Sequence, residues 1–150
     1  MSFFTALLHN RLLVSAVLSW FLAQLIKGLL FLLHEHQLSA NRFLGSGGMP
    51  SSHSATVTAL TVSSGMVYGV DSGIFALSFL IAAIVIYDAR GVRREAGKHG
   101  RMLNELQTFL QGKSTPLSRA EVFDELVGHT PLEIAAGMPL GVLVAVLVCL

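Results

Sequence analysis

The sequence predicts an all-α integral membrane bundle with about four transmembrane helices, and short amphipathic helices in the 88–129 loop. Three observations carry that expectation. Hydrophobic residues make up 53% of the 150 and charged ones 13%, about half the charged share of an average globular protein. The mean hydropathy of +0.66 calls for lipid as part of the solvent. The apolar residues also gather into segments suited to a hydrocarbon layer about 30 Å thick. The length fits a single membrane-embedded domain, residues 1–150.

The first span is Leu12 to Leu33, interrupted by Lys27. Arg11 before this run gives residues 1–33 some likeness to a signal peptide. The run is too long for a signal core and lacks a small-residue cleavage site, so it reads as structure. A polar stretch from His34 to Ser52 follows, with Gly45-Ser46-Gly47-Gly48 as loop. The second segment, Ala55 to Val70, is rich in Thr, Ser and Gly, which suits close packing inside a bundle better than lipid contact. Gly69 to Gly73 reads as a tight turn, and the third span, Ile74 to Tyr87, stops at Asp88.

Residues 88–129 hold most of the charge. Within them Met102, Leu103, Leu106, Phe109 and Leu110 recur at helical spacing, as in a helix lying on a membrane surface. Gly112 to Pro116 breaks that pattern, and Ser118 with Glu121 reads as a capping box for a short helix carrying Val122, Phe123 and Leu126. The final span is Pro131 to Leu150.

Four spans place the loops 34–52 and 88–129 on one side, with both termini and the 69–73 turn on the other. Nine of the ten Lys and Arg residues then belong to the side with the long loops. The positive-inside rule makes that side cytoplasmic, in the inner membrane if the chain is bacterial. The one cysteine, Cys149, can form no internal disulfide, which leaves the redox compartment unread. The net charge of +1 says nothing about nucleic acid, and the lack of a basic tract interleaved with aromatics leaves no sign of a nucleic-acid partner.

Two strings carry the chemistry. Residues 47–54 read Gly-Gly-Met-Pro-Ser-Ser-His-Ser, and residues 129–141 read His-Thr-Pro-Leu-Glu-Ile-Ala-Ala-Gly-Met-Pro-Leu-Gly. Each sets a histidine beside a proline that can open a helix, and a fresh helix N-terminus offers N–H groups to an anion. Two histidines at two such mouths point to phosphate chemistry, one attacking and one handling a proton. Lys27 reaches the same side from within the first helix, and an intramembrane lysine is a functional-site hypothesis by default. Asp88-Ala-Arg90-Gly-Val-Arg93-Arg94 begins where the third span surfaces, and arginine forks suit phosphate oxygens.

Plainer readings stand beside these. Glu133 either orients His129 or only closes a capping box with Thr130. His53 as a simple cap, His129 as an ordinary loop histidine and Lys27 as a snorkelling cation are the structural alternatives. Arg93 and Arg94 equally suit anchoring to anionic lipid, and Asp88 suits pairing with a site arginine. His34-Glu35-His36 reads as an interfacial polar cluster before it reads as a metal site.

Together these residues resemble the divergent branch of the type 2 phosphatidic acid phosphatase and vanadium haloperoxidase superfamily. That superfamily has three motifs: Lys, six residues, Arg-Pro; Pro-Ser-Gly-His; and Ser-Arg, five residues, His, three residues, Asp. Pro50-Ser51-Ser52-His53 is similar to the second, with Ser52 for Gly. His129 with Glu133-Ile134, Gly137 and Gly141 is similar to the end of the third, with Glu for Asp. The departures are that fourteen residues separate Lys27 from Arg42, Phe43 replaces proline, and Phe123 stands where the third motif has arginine.

The resemblance implies metal-free, cofactor-free phosphoryl transfer. His129 attacks phosphorus, Glu133 fixes its tautomer, and His53 protonates the leaving oxygen and then activates water. Lys27, Arg42 and Arg90 or Arg93, ahead of Arg119, hold the non-bridging oxygens, helped by N–H groups of Ser51 and Ser52. The implied partners are the bilayer and a phosphorylated lipid, polyprenyl phosphate or diphosphate, or soluble phosphate, and a homo-oligomer would help enclose the site. His53, His129 and at least one of Arg90 and Arg93 are expected around one cavity, the imidazoles within about 10 Å. From a different class, a non-catalytic membrane binding or scaffold protein keeps the fold without turnover. An aspartate–metal phosphotransferase, prompted by Asp88-Ala-Arg90, is set aside because no second acidic cluster follows at helical spacing.

Overall fold

Small residues decide where the helices of this chain meet. The structure, a computed structural model, describes residues 2–35, 48–111 and 128–150, without the side chains at 34, 35, 93, 94 and 111. A short helix, α1 (Phe3–His9), precedes five longer ones: α2 (Arg11–Glu35), α3 (Ser52–Tyr68), α4 (Gly73–Arg90), α5 (Val92–Gln111) and α6 (Pro131–Cys149). The chain is all-helical among the described residues.

Three stretches are long and apolar enough to cross a membrane: Arg11–Leu33, Pro131–Cys149, and Gly73–Leu110, whose apolar part is α4. The fourth expected span, α3, is not among them. Its 17 residues reach about 26 Å at 1.5 Å each. It packs against α2, α4 and α6, so its surroundings are largely protein. A helix enclosed this way needs no lipid-grade hydropathy, which is why its Ser, Thr and Gly content is tolerated.

The side chains that α3 buries are Ser52, Ser54, Ala55, Val57, Thr58, Ala59, Ser63 and Ser64, none larger than valine. Facing them on α6 are Gly137 and Gly141, one turn apart. A Cβ on Gly137 would strike the Ser51 carbonyl oxygen and stand 3.1 Å from Ser54 Cβ. A Cβ on Gly141 would strike the Ala55 carbonyl oxygen and stand 2.9 Å from Thr58 Cβ. The two helices therefore touch backbone to backbone, as small-xxx-small pairs in membranes do.

Hydroxyls tie α3 to α4. Ser64 Oγ and Ser78 Oγ lie 2.7 Å apart, and Thr61 Oγ1–H reaches the carbonyls of Val57 (2.8 Å) and Ser78 (3.2 Å). Each such interhelical bond contributes about 0.6 kcal/mol. The expected 69–73 turn joins these helices: Gly69 takes φ +88 and Ser72 Oγ caps α4 by accepting the Phe75 N–H.

At the end of the bundle away from the histidines, Arg11 Nη1–H donates to the Cys149 carbonyl (2.9 Å), joining the start of α2 to the end of α6. Single-residue Gly91 separates α4 from α5, so the amphipathic helix expected around 102–110 begins back at Val92. Helix α1 went unexpected because seven residues are too few to show a period; Ser2 Oγ caps it by accepting the Thr5 N–H. The expected capping box at Ser118 and the loop glycines 45–47 lie outside the described residues.

Candidate active site

The N-terminus of α6 is built by Thr130. Its Oγ1 accepts the Glu133 N–H (3.3 Å), Glu133 Oε2 accepts the Thr130 N–H (3.2 Å), and Pro131 occupies the first turn. The same Glu133 Oε2 lies 2.9 Å from His129 Nδ1. The two readings of Glu133 are thus not alternatives, since one oxygen closes the capping box and holds the imidazole. A carboxylate only accepts, so His129 Nδ1 carries a proton, and in the neutral ring Nε2 presents its lone pair.

The backbone of His129 is held separately. Gly128, at φ +97, turns the chain inward, and the His129 N–H donates to the Ala89 carbonyl in the last turn of α4 (3.0 Å). The ring ends up 2% exposed. It is a buried side chain, not the loosely held loop histidine of the plainer reading.

The N-terminus of α3 is capped by Ser51, whose Oγ accepts from Ser54 N–H (3.3 Å) and Ser54 Oγ–H (3.0 Å). Pro50 stands one residue ahead of this cap, whereas Pro131 sits inside its helix. The Ser51 N–H donates to the Glu133 carbonyl (3.0 Å), binding one helix mouth to the other. His53, second residue of α3, consequently faces His129: Nδ1 and Nε2 are 3.4 Å apart, ring centroids 5.7 Å, planes at 60°. At that length the contact is a weak hydrogen bond. With His129 neutral, its Nε2 accepts and His53 Nδ1–H donates, so that Glu133, His129 and His53 form one directed chain.

Lys27 enters from α2. It is 6% exposed, its stem runs alongside Gly48, where an added Cβ would stand 3.4 Å from Lys27 Cδ, and its charge is within Coulombic reach of Glu133. It turns inward and does not snorkel to the surface. Gly48, at φ +95, lets the incoming loop take this path.

The remaining predicted residues divide. Ser52 is 3% exposed, and its N–H belongs to the first turn of α3, where no intrahelical acceptor exists. The Ser51 N–H, expected to meet an anion, is engaged by Glu133. Arg90 lies exposed in the last turn of α4, one residue past Ala89. The side chain of Arg93 and the whole of Arg42 and Arg119 lie outside the described residues, as do the side chains of His34, Glu35 and His36.

The profile of the Divergent PAP2 family matches residues 8–144. The chain belongs to this family. A curated relative is the "Uncharacterized membrane protein YuiD" of Bacillus subtilis (strain 168), 36% identical over 146 residues, which cover 91% of this chain and 92% of that protein. No solved structure matches. This divergent PAP2 protein is an integral membrane protein, in keeping with its three apolar spans and that relative. One contact of the divergent PAP2 site has no signal in the sequence: the Ala89 carbonyl that positions His129 is a main-chain group any residue could supply.

Proposed function

We propose that this divergent PAP2 protein is a membrane-embedded phosphatase hydrolysing a phosphomonoester or diphosphate through a phosphohistidine on His129, without a metal. The observation that carries this reading is the directed chain from Glu133 through His129 to His53 at the mouths of two helices.

In the proposed reaction, the His129 Nε2 lone pair attacks phosphorus while the bond to the leaving oxygen breaks. Protonated His53 donates its proton to that oxygen. Neutral His53 then takes a proton from water, whose oxygen displaces His129 from phosphorus and completes release of phosphate. Glu133 stabilises the positive charge that His129 acquires, through the Nδ1–H bond. Lys27 and the Ser52 N–H face the non-bridging oxygens. Arg42, Arg90 and Arg93 are the arginines proposed to join them, and Ser51 acts by positioning the two helix mouths. The positive-inside rule, applied to the basic loops, supports a cytoplasmic side for this site.

The resting pair is closed. Attack needs His129 about 3–3.5 Å from phosphorus, and acid catalysis needs His53 about 2.6–3.2 Å from the leaving oxygen. At rest the His129 nitrogen that attacks faces His53 Nδ1 at 3.4 Å, where the phosphoryl group has to stand. His53, half-buried in the first turn of α3, has to swing aside when the phosphoryl group enters.

Purified protein in detergent, given a panel of lipid and soluble phosphates, is expected to release phosphate equally well with and without EDTA. Loss of turnover on chelation, restored by magnesium or zinc, would shift the chemistry to Asp88 and the His34–His36 cluster. No release from any substrate class would favour a non-catalytic scaffold.

His53→Ala is expected to slow esters with poor leaving groups by about 10²–10⁴-fold and aryl phosphates much less, because a good leaving group needs little protonation. The ratio of the two rates in wild type and variant is the measurement. An equal loss on both substrates would mean that His53 is not the acid.

A further inference from the structure

We propose that α5 lies along the bilayer surface at the site's end of the bundle, its apolar face in the acyl boundary and its basic flank on anionic lipid headgroups. The proposal stands apart from any catalytic role of the histidines. Met102, Leu103 and Leu106 share one face of α5 and are 71%, 43% and 53% exposed. Among the described residues α5 touches α4 alone. In water such a face leaves large apolar side chains uncovered, and singly scattered exposure does not describe it.

Position and charge identify the cover. Helix α5 starts one residue after α4, at Gly91, so it begins where a membrane span surfaces. It cannot itself cross, since Arg93, Arg94, Glu95, Lys98, Arg101 and Glu105 interrupt it. Its four cationic residues exceed its two acidic ones. On the 3.6-residue period, Lys98 and Arg101 fall one turn apart along a single flank of the apolar face, where basic side chains meet headgroup phosphates. Their acidic neighbours hold them only at the surface: Lys98–Glu95 at 2.6 Å and Arg101–Glu105 at 3.1 Å, all four side chains more than half exposed. Such exposed pairs are weak, and basic residues near an anionic leaflet are drawn to it. A lipid phosphate therefore competes for both cations. A soluble partner would not explain why this surface starts at the membrane boundary.

Nitroxide labels on Leu106→Cys and, on the opposite face, Thr108→Cys, both in a Cys149→Ala background, test this. The proteins are placed one copy per nanodisc, in phosphatidylcholine alone or with phosphatidylglycerol added. Label 106 is expected to be relaxed by oxygen and shielded from an aqueous nickel chelate, and label 108 the reverse. Added phosphatidylglycerol should sharpen this contrast, and Lys98→Gln with Arg101→Gln should remove the sharpening. Equal aqueous access at both positions would overturn the membrane-surface placement. Shielding of label 106 only in discs holding two copies would assign the face to a second copy of this chain. A contrast identical in both lipids, unmoved by the double substitution, would overturn the headgroup contact.

Discussion

His129→Gln is expected to give a folded protein that releases no phosphate and traps no phosphoryl adduct. Glutamine is the informative substitution because the ring is 2% exposed. Alanine would leave a cavity and remove one of the two donors that Glu133 Oε2 accepts. Glutamine refills part of that volume and keeps an N–H donor, so loss of stability should stay within the ~0.5–3 kcal/mol of ordinary substitutions. Turnover, by contrast, loses its nucleophile outright. Rapid quenching of wild type during turnover should yield an acid-labile, base-stable phosphoryl adduct that the variant lacks. A variant turning over like wild type would end the phosphohistidine mechanism, while its melting temperature shows whether any loss reflects unfolding.

The largest loss of stability is expected from Gly141→Ala and Gly137→Ala. At each position the new methyl meets a main-chain carbonyl tied into α3, that of Ala55 within the helix in one case and that of its cap Ser51, which accepts the Ala55 N–H, in the other. A flexible side chain could rotate away, but a carbonyl inside a helix moves only with the helix. Overpacking typically costs about 1–3 kcal/mol, and these sites belong at or beyond the upper end. Thermal unfolding in detergent, followed by Trp20 fluorescence, should show both variants melting well below wild type. Met138→Ala, at a 41% exposed position between them, should melt near it. Gly137→Ala should also slow turnover more than Gly141→Ala, because Ser51 is the residue bonded to the Glu133 carbonyl. If either alanine variant melts with wild type, the backbone contact is not as close as described.

Hydropathy made the helices readable, since a membrane selects on local composition. The expected Leu12–Leu33, Ile74–Tyr87 and Pro131–Leu150 became Arg11–Glu35, Gly73–Arg90 and Pro131–Cys149. The ends moved because polar residues continue a helix beyond the apolar core, as Asp88 and Arg90 do in α4. Helix α3 starts at Ser52 and not at Ala55, because Ser51 caps it, and a cap leaves no trace in hydropathy. The number of spans was the weak inference, since Ser and Thr reveal that α3 meets protein without revealing how completely. In the site, His53, His129 and Glu133 were legible because a proline, a cap and an acid at fixed offsets announce a helix mouth. Three features were not. That a single Glu133 oxygen serves two donors is a matter of ångströms, and the Ser51 and Ala89 main-chain bonds are independent of side-chain identity.

The lock between the two helix mouths has a consequence for how this protein tolerates its surroundings. The histidines are spaced by main-chain atoms, through Ser51 N–H on the Glu133 carbonyl and the glycine contacts beneath it. Lipid-facing side chains such as Leu143 and Leu147, 56% and 67% exposed, take no part in that spacing. Changes in acyl length or fluidity are expected to act first on the outer skin of the bundle and least on the main-chain contacts that space the two helix mouths. Such a protein can move among bilayers of different thickness, with its outer residues redesigned freely, and still bring both rings to the same place.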